Sequence, residues 1–256
     1  MNKNFYEGFE QTKLAGSIAA GALDEVCKLI KPGICTNDID KLCYEFINDK
    51  KAFSAPLFYR GFPKSCCTSS NHVVCHGIPS EKVLREGDIV NVDVTAYIDG
   101  WHGDTSRMYY VGKVSLKAQK LVETTYEALM KGIEKVKPGN TLGDIGHAIQ
   151  EFAEKKKYSI VREFCGHGLG EVFHDSPSIL HFGKPGEGDV LQAGMFFTIE
   201  PMINIGDSRV KVLSDGWTAV TSDKSLSAQF EHSIGVTENG YEIFTKSKKK
   251  FTFPPY

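Results

Sequence analysis

Apolar and polar residues alternate strictly from Val90 to Thr95. Val90, Val92 and Val94 fall on one face of an extended strand; Asn91, Asp93 and Thr95 fall on the other. The valine face suits packing against helices, and the polar face suits whatever lies between two layers. "YIDGWHGD" follows, with the strong turn signal Asp99-Gly100 at its centre. The strand is therefore expected to fold back as a hairpin that carries Asp104 beside Asp93. A different period governs residues 39–47. Ile39, Leu42, Cys43, Phe46 and Ile47 recur at helical spacing and predict one apolar stripe. The N-terminal "MNKNFYEGFEQTKLAGSIAAG" is charged and then also helical in pattern.

This pattern occurs twice. "KPGICTNDIDKLCYEFINDKK" from Lys31 and "KPGNTLGDIGHAIQEFAEKKK" from Lys137 share Pro, Gly, Asp, Ile, Phe and Lys at a constant offset of 106. Each ends one helix with Pro-Gly and starts another, and Thr141 with Asp144 resembles a capping box. The echo continues in order. "HGIP" at 76–79 resembles "HDSP" at 174–177, and "GDIVNVD" at 87–93 resembles "GMFFTIE" at 194–200. A weaker pair is Asp104-Thr-Ser with Glu231-His-Ser. The expectation is two similar halves, each helix–helix–strands, about a pseudo-twofold axis. The period is too long for a solenoid.

Composition narrows the class. A chain of 256 residues can build one large domain with a substantial core, and a net charge of −2 gives no global basic field for nucleic acid. "KSKKK" at 246–250 reads as a solvated lysine run near a terminus. No run of about 18 apolar residues predicts a membrane span. The N-terminus lacks the basic start, apolar block and cleavage site of an export signal. Seven cysteines, an odd count without a C-x-x-C pair, read as free thiols in a reducing cytoplasm.

The chemistry concentrates in carboxylates. Asp93 lies among strand valines, where an isolated charge is costly to bury. Asp93 and Asp104 side by side repel unless they are protonated or bridged by a cation. Glu200 closes "FFTIE", Glu231 follows "SAQF", and His167 stands between Gly166 and Gly168, which permit close backbone approach. If the pseudo-twofold holds, these five converge. Four carboxylates and one imidazole suit two divalent metals about 3.5–4 Å apart. The oxygen-rich set suits manganese, iron or cobalt as well as zinc. A strand aspartate or a lone histidine taken singly reads equally well as a structural hydrogen-bonder, and no H-E-x-x-H motif helps.

Five segments, "KSCCTSSNHVVCHGIP", "GDIVNVDVTAYIDGWHGDTSRMY", "GHGLGEVFHDSP", "GMFFTIEPM" and "SAQFEHSI", resemble in order those of the type I methionine aminopeptidases. The resemblance implies an α/β (α+β) pita-bread fold: a pseudo-twofold symmetric antiparallel sheet covered by helices. It implies one catalytic domain over residues 1–256, with halves of roughly 1–112 and 113–256. The metal ligands map to Asp93, Asp104, His167, Glu200 and Glu231, with two divalent ions (Co, Mn, Fe or Zn) as cofactors. Glu200 is also the expected general base, His174 the contact to the scissile carbonyl, and His76 the residue that holds the substrate amide. The methionine pocket maps to Tyr59, Phe62, Cys67, His76, Phe173, His174 and Trp217, with its floor expected at Cys67 and Phe173. Pro56 and Arg60 stand where cysteine and histidine are familiar in the family. A monovalent-cation site would fall near Asn71, Val73 and Ser227. The implied substrates are N-termini of nascent polypeptides with a small second residue, met in the cytoplasm by a monomer, with the ribosome as a further partner and neither sequence-specific nucleic acid nor membrane.

Two related activities fit less well. Proline-directed peptidases of this fold usually carry an extra N-terminal domain, and Asp93 comes too early for one. Type II methionine aminopeptidases insert a helical segment between the last two ligands, where only 30 residues lie here. A non-catalytic pita-bread binding protein should have lost ligands, and none is missing.

Overall fold

The computed structural model describes residues 3–256, with side chains from Gly8 onward. Met1 and Asn2, the start of the charged N-terminal reading, lie outside the described residues. Four α-helices form among the described residues: α1 (Lys3–Leu29), α2 (Thr36–Asp49), α3 (Leu116–Ile133) and α4 (Leu142–Lys155). α2 and α4 are the helices of the repeat, and an aspartate three residues into each closes its N-terminus in the same way. The Asp38 carboxylate accepts the Cys35 N–H at 3.1 Å, and the Asp144 carboxylate accepts the Thr141 N–H at 2.7 Å. Each helix thereby satisfies a donor that its own ladder leaves open. After each helix, the matched Lys51 and Lys157 turn the chain through left-handed conformations, φ 59° and 64°.

The strands that frame the site are β1 (Cys67–Ser70), β2 (Ile89–Ile98) and β3 (Trp101–Tyr110) in the first half. The second half contributes β4 (Gly166–Gly168), β5 (Asp175–Ile179), β6 (Phe196–Ile199), β7 (His232–Val236) and β8 (Tyr241–Ile243). β2 pairs with β3 on one edge, and with β1 and the short strand Phe53–Ser54 on the other. The second sheet runs β8-β7-β6-β4-β5, all antiparallel. Two short three-stranded ribbons complete the layer.

The β2–β3 hairpin turns at Asp99 and Gly100, both with positive φ (51° and 91°), which matches the twist of the flanking strands. Its register sets Asp93 opposite Ser106 and Thr95 opposite Asp104. The two aspartates are therefore diagonal neighbours on one face rather than directly opposed. On the other face Val90, Val92, Val94 and Ala96 bury against Ala19, Leu23, Ile39 and Ile47 of α1 and α2. In the second half Phe197, Ile199, Ile234 and Val236 pack with Leu121, Leu129, Ile145 and Ile149 of α3 and α4. α1 crosses β3 backbone to backbone: a Cβ on Gly103 would lie 2.1 Å from the Gly16 nitrogen.

The halves join through the weakest sequence echo. The Asp104 N–H donates to Ser233 Oγ at 2.9 Å, and that hydroxyl donates back to the Asp104 carbonyl. Reciprocally, the Glu231 N–H donates to the Ser106 carbonyl at 3.2 Å. Asp104-Thr-Ser and Glu231-His-Ser thus meet across the pseudo-twofold axis.

Candidate active site

The polar faces of both sheets point to that axis, and Asp93, Asp104, His167, Glu200 and Glu231 all line one cavity of about 390 Å³. Asp104, Glu200 and His167 are aimed by hydrogen bonds from neighbouring residues. Thr95 Oγ1 donates to Asp104 Oδ1 at 2.7 Å. Thr198 Oγ1 donates to Glu200 Oε1 at 2.8 Å and accepts the His167 N–H at 3.0 Å. Gln229 Nε2 donates to Glu200 Oε2 at 3.3 Å, and the Glu200 N–H donates to His181 Nε2 at 3.1 Å. The glycine beside His167 is required by packing: a Cβ on Gly168 would lie 2.1 Å from the Ser176 carbonyl oxygen.

His167 Nδ1 lies 3.0 Å from the Gly168 carbonyl oxygen, which can only accept. That nitrogen therefore carries the ring proton, and Nε2 presents a lone pair. The lone pair faces Glu200 Oε1 at 3.6 Å and Asp104 Oδ2 at 3.8 Å. Acceptors facing acceptors at this distance repel unless a proton or a cation sits between them. Metal bonds of about 2.0–2.2 Å to such donors fit this spacing. One atom each from Asp104, His167 and Glu231 falls within 4.8 Å of the others, a group able to hold an ion.

The electrostatics agree. The buried carboxylate on the helix side, Asp24, has its guanidinium: Arg107 NH1 donates to it at 2.8 Å. Among the described residues, none of the four site carboxylates pairs with Lys or Arg. Burial therefore pushes Asp93, Asp104, Glu200 and Glu231 above the ordinary carboxylate range, and their mutual repulsion pushes Asp104, Glu200 and Glu231 further. Burial lowers His167 to about 4 and also lowers His76, so both imidazoles are neutral at neutral pH. His174 is lowered by desolvation, then by His167 and His76. Such a cluster stays neutral by keeping protons, and a divalent cation can take their place.

The remaining expected residues come together in the same cavity: Tyr59, Phe62, Cys67, His76, Phe173, His174 and Trp217. The His174 ring lies tilted against those of His167 at 4.3 Å and Phe173 at 4.1 Å, with Tyr59 at 5.0 Å. Phe62 meets Trp217 edge-on at 5.2 Å, and Trp217 lies 6.1 Å from His76. His76 has a left-handed backbone, φ 56°, a conformation usually held in place where function needs it. Pro56 and Arg60 lie at the same cavity. At the monovalent-cation candidate, the Ser227 N–H donates to the Asn71 carbonyl at 2.8 Å, while Ser227 Oγ is buried without a partner. Val73 opens the short strand that pairs with Val220.

Several site residues escaped the sequence reading. Thr198 sits two residues before Glu200 on β6 and so shares its face; strand alternation could have found it. Gln229 and His181 reach Glu200 from separate elements and left no local signal. Phe164, which packs edge-on against His76 at 5.4 Å, and Cys75 and Met202 complete the apolar wall.

Two similar halves that hold an unpaired acidic cluster and an imidazole lone pair at their shared axis define a metal-dependent enzyme. The chain belongs to metallopeptidase family M24, which matches residues 10–238. It is 59% identical over 250 residues to the methionine aminopeptidase of Rickettsia prowazekii, covering 97% of this chain and 96% of that one. The crystal structure of methionine aminopeptidase from that organism superposes with a TM-score of 0.93 at 58% identity, covering 94% of this chain and 97% of that chain. The prolidase from Pyrococcus horikoshii shares the fold at a TM-score of 0.74 and 22% identity, but this chain spans 62% of its length. The architecture is thus the pita-bread fold, and the enzyme is a metallopeptidase dependent on divalent metal.

Proposed function

We infer that this protein is a methionyl aminopeptidase that hydrolyses the bond after an N-terminal methionine when the second residue is small. The observation that carries the reading is the unpaired carboxylate cluster around His167, opening directly into an aromatic pocket. Asp93, Asp104, His167, Glu200 and Glu231 would hold two divalent ions. Bound there, the metal supplies Lewis acidity toward the scissile carbonyl and makes water nucleophilic at neutral pH.

The chain's own groups do the rest. Glu200, aimed by Thr198 and Gln229, takes the proton of the attacking water and delivers it to the leaving amine. Neutral His174 donates a ring N–H to the carbonyl oxygen as charge develops there. His76 steadies the peptide nearer the leaving group. Tyr59, Phe62, Cys67, Phe173 and Trp217 enclose an unbranched, polarisable thioether, with sulfur–aromatic contacts favouring it. The substrate's free α-amine is held at the acidic end, which restricts cleavage to N-termini. Asn71, Val73 and Ser227 would offer oxygens to a monovalent cation.

On this reading residues 1–256 act as one catalytic domain, a cytoplasmic monomer working on nascent chains near the ribosome. Seven free cysteines support a reducing compartment, and no helix among the described residues is long and apolar enough to cross a membrane. The test is release of the first residue from Met-Ala-Ser, Leu-Ala-Ser and Ala-Pro, with manganese and with excess chelator. Only Met-Ala-Ser with metal should be cleaved. Norleucine should be accepted less well, since a pocket reads apolar shape at about 1–3 kcal/mol per methylene. Equal rates for Met-Ala-Ser and Leu-Ala-Ser would sink the pocket assignment.

A further inference from the structure

The mouth of the cavity carries a charge that the reaction does not use. Arg60 lines the cavity, and the other charged groups there are acidic: Asp93, Asp104, Glu163, Glu200 and Glu231. The guanidinium is exposed and lies over the Tyr59 ring, 5.3 Å from its centroid. Among the described residues it has no carboxylate at ion-pair distance, as is also true of Arg85 and Arg162, but Arg60 alone of these three lines the cavity. It is therefore a positioned cation with its donors free.

Its backbone is unusual as well. Phe58 (φ 67°, ψ 2°) and Arg60 (φ 46°, ψ 31°) are both left-handed without being glycine. The turn is closed by Phe58 N–H to the Phe62 carbonyl at 2.8 Å and Gly61 N–H to the Phe58 carbonyl at 3.2 Å. Strain held by a closed turn at a cavity mouth points to a use for the side chains it displays. The Tyr59 ring that the guanidinium covers lies 5.0 Å from the His174 ring, so Arg60 is held on the His174 side of the cavity.

The direction of the substrate follows from the proposed function, on which this inference rests. The first residue fills the pocket formed by Tyr59, Phe62, Cys67, Phe173 and Trp217, with Arg60 at its rim above Tyr59, and the second passes His76 and His174. An extended chain advances about 3.3–3.6 Å per residue. The third residue is then the first to leave the acid-lined cleft. We propose that Arg60 reads the third residue of the substrate and selects an acidic side chain there. A carboxylate at that position meets a planar, permanently charged fork able to bind it with two hydrogen bonds. A lysine there meets a like charge.

The test compares amidated Met-Ala-Glu-Ser, Met-Ala-Gln-Ser and Met-Ala-Lys-Ser, cleaved by the manganese-loaded wild type, Arg60→Gln and Arg60→Lys. The wild type should favour Glu over Lys by roughly three- to fivefold in kcat/KM, the range of an exposed ion pair, with the difference carried by KM. Arg60→Gln should lose that ratio or reverse it, because only the acidic cleft then acts on the third residue. Arg60→Lys should keep its sign. The wild-type ratio should shrink with added salt. The same Glu/Lys ratio in wild type and Arg60→Gln would overturn the proposal, as would a uniform loss on all three peptides, which marks a merely structural turn. If the wild type cleaves none of the methionyl peptides, the proposed function itself fails; cleavage with an unmoved ratio rejects only the role of Arg60.

Discussion

Stripping the metal should make stability pH-dependent in a definite way. The perturbation is excess chelator, which leaves the acidic cluster without its cation. Asp93 is then raised to about 7 and Glu200 to about 8, mainly by burial. Unfolded, both would titrate near 4. Between those values the folded state binds more protons than the unfolded chain, so stability falls as pH rises through the window. Buried histidines act oppositely. His167 is lowered to about 4, and His181 and His232 to about 3. Their unfolded forms take up protons below about 6.5, so they add stability as pH rises to that point. The two effects oppose each other up to roughly pH 6.5, and above it the carboxylates act alone. From there to pH 8, Asp93 and Glu200 together should remove about 2 kcal/mol, at up to about 1.4 kcal/mol per pH unit per retained proton, and Asp104 and Glu231, raised in the same direction, steepen the decline. Urea unfolding of the chelated protein at several pH values measures this directly. With manganese in excess the decline should vanish, because binding displaces the same protons and tightens as pH rises. A chelated protein whose stability is flat or rising from pH 6.5 to 8 would refute the unpaired cluster. So would a manganese stabilisation equal at pH 6 and pH 8.

Three substitutions separate the roles around the site. Glu200→Gln should lower kcat by about 10²–10⁴ with little change in KM, as expected for a lost general base; a variant within about threefold of wild type would remove Glu200 from that role. His174→Ala should retain bound metal, measured by elemental analysis, yet lose about 10²–10³ in kcat; loss of metal as well would make His174 a ligand instead. Thr198→Val removes the hydroxyl shared by His167 and Glu200. A lost hydrogen bond to a charged group is worth about 1.5–3 kcal/mol, so kcat should fall roughly 10- to 100-fold, and Thr198→Ser should restore most of it. Wild-type turnover in Thr198→Val would show that Glu200 is aimed without it.

What could be read in advance depended on range. The helices of the repeat were legible because their caps and stripes are local: Asp38 and Asp144 act on residues three positions away. The hairpin was legible because Asp99-Gly100 admits few other conformations. The diagonal offset of Asp93 and Asp104 was not, since it depends on a register of one residue pair. Four carboxylates could be picked out because charge within or beside an apolar strand is anomalous. Their convergence could be reached only through the repeat, and the pocket aromatics only through family resemblance, because an aromatic in a loop looks the same whether it packs a core or grips a ligand. His181 and Gln229 left no trace. Each contacts Glu200 from a distant segment, and neither residue type is unusual where it stands.

The repeat also explains why the cation belongs at the axis. The offset is 106 through the helices, 98 from His76 to His174, 107 from Asp93 to Glu200, and 127 from Asp104 to Glu231. The changes in length fall between the matched segments and leave the paired backbones alone. Where the halves meet, backbone donors are satisfied reciprocally, Asp104 by Ser233 and Glu231 by Ser106. Side chains have no such remedy. Symmetry that brings one acidic strand to the axis brings its counterpart too, so like charge gathers where a single half would have had space to point a carboxylate at water. Arg107 neutralises Asp24 on the helix side of the same strand, which shows that the fold can pair a buried carboxylate when the geometry allows it. At the axis a guanidinium would have to fit between two sheets already joined by hydrogen bonds. A small ion of high charge fits where a side chain cannot, and the demand for metal therefore follows from the way the two halves are joined.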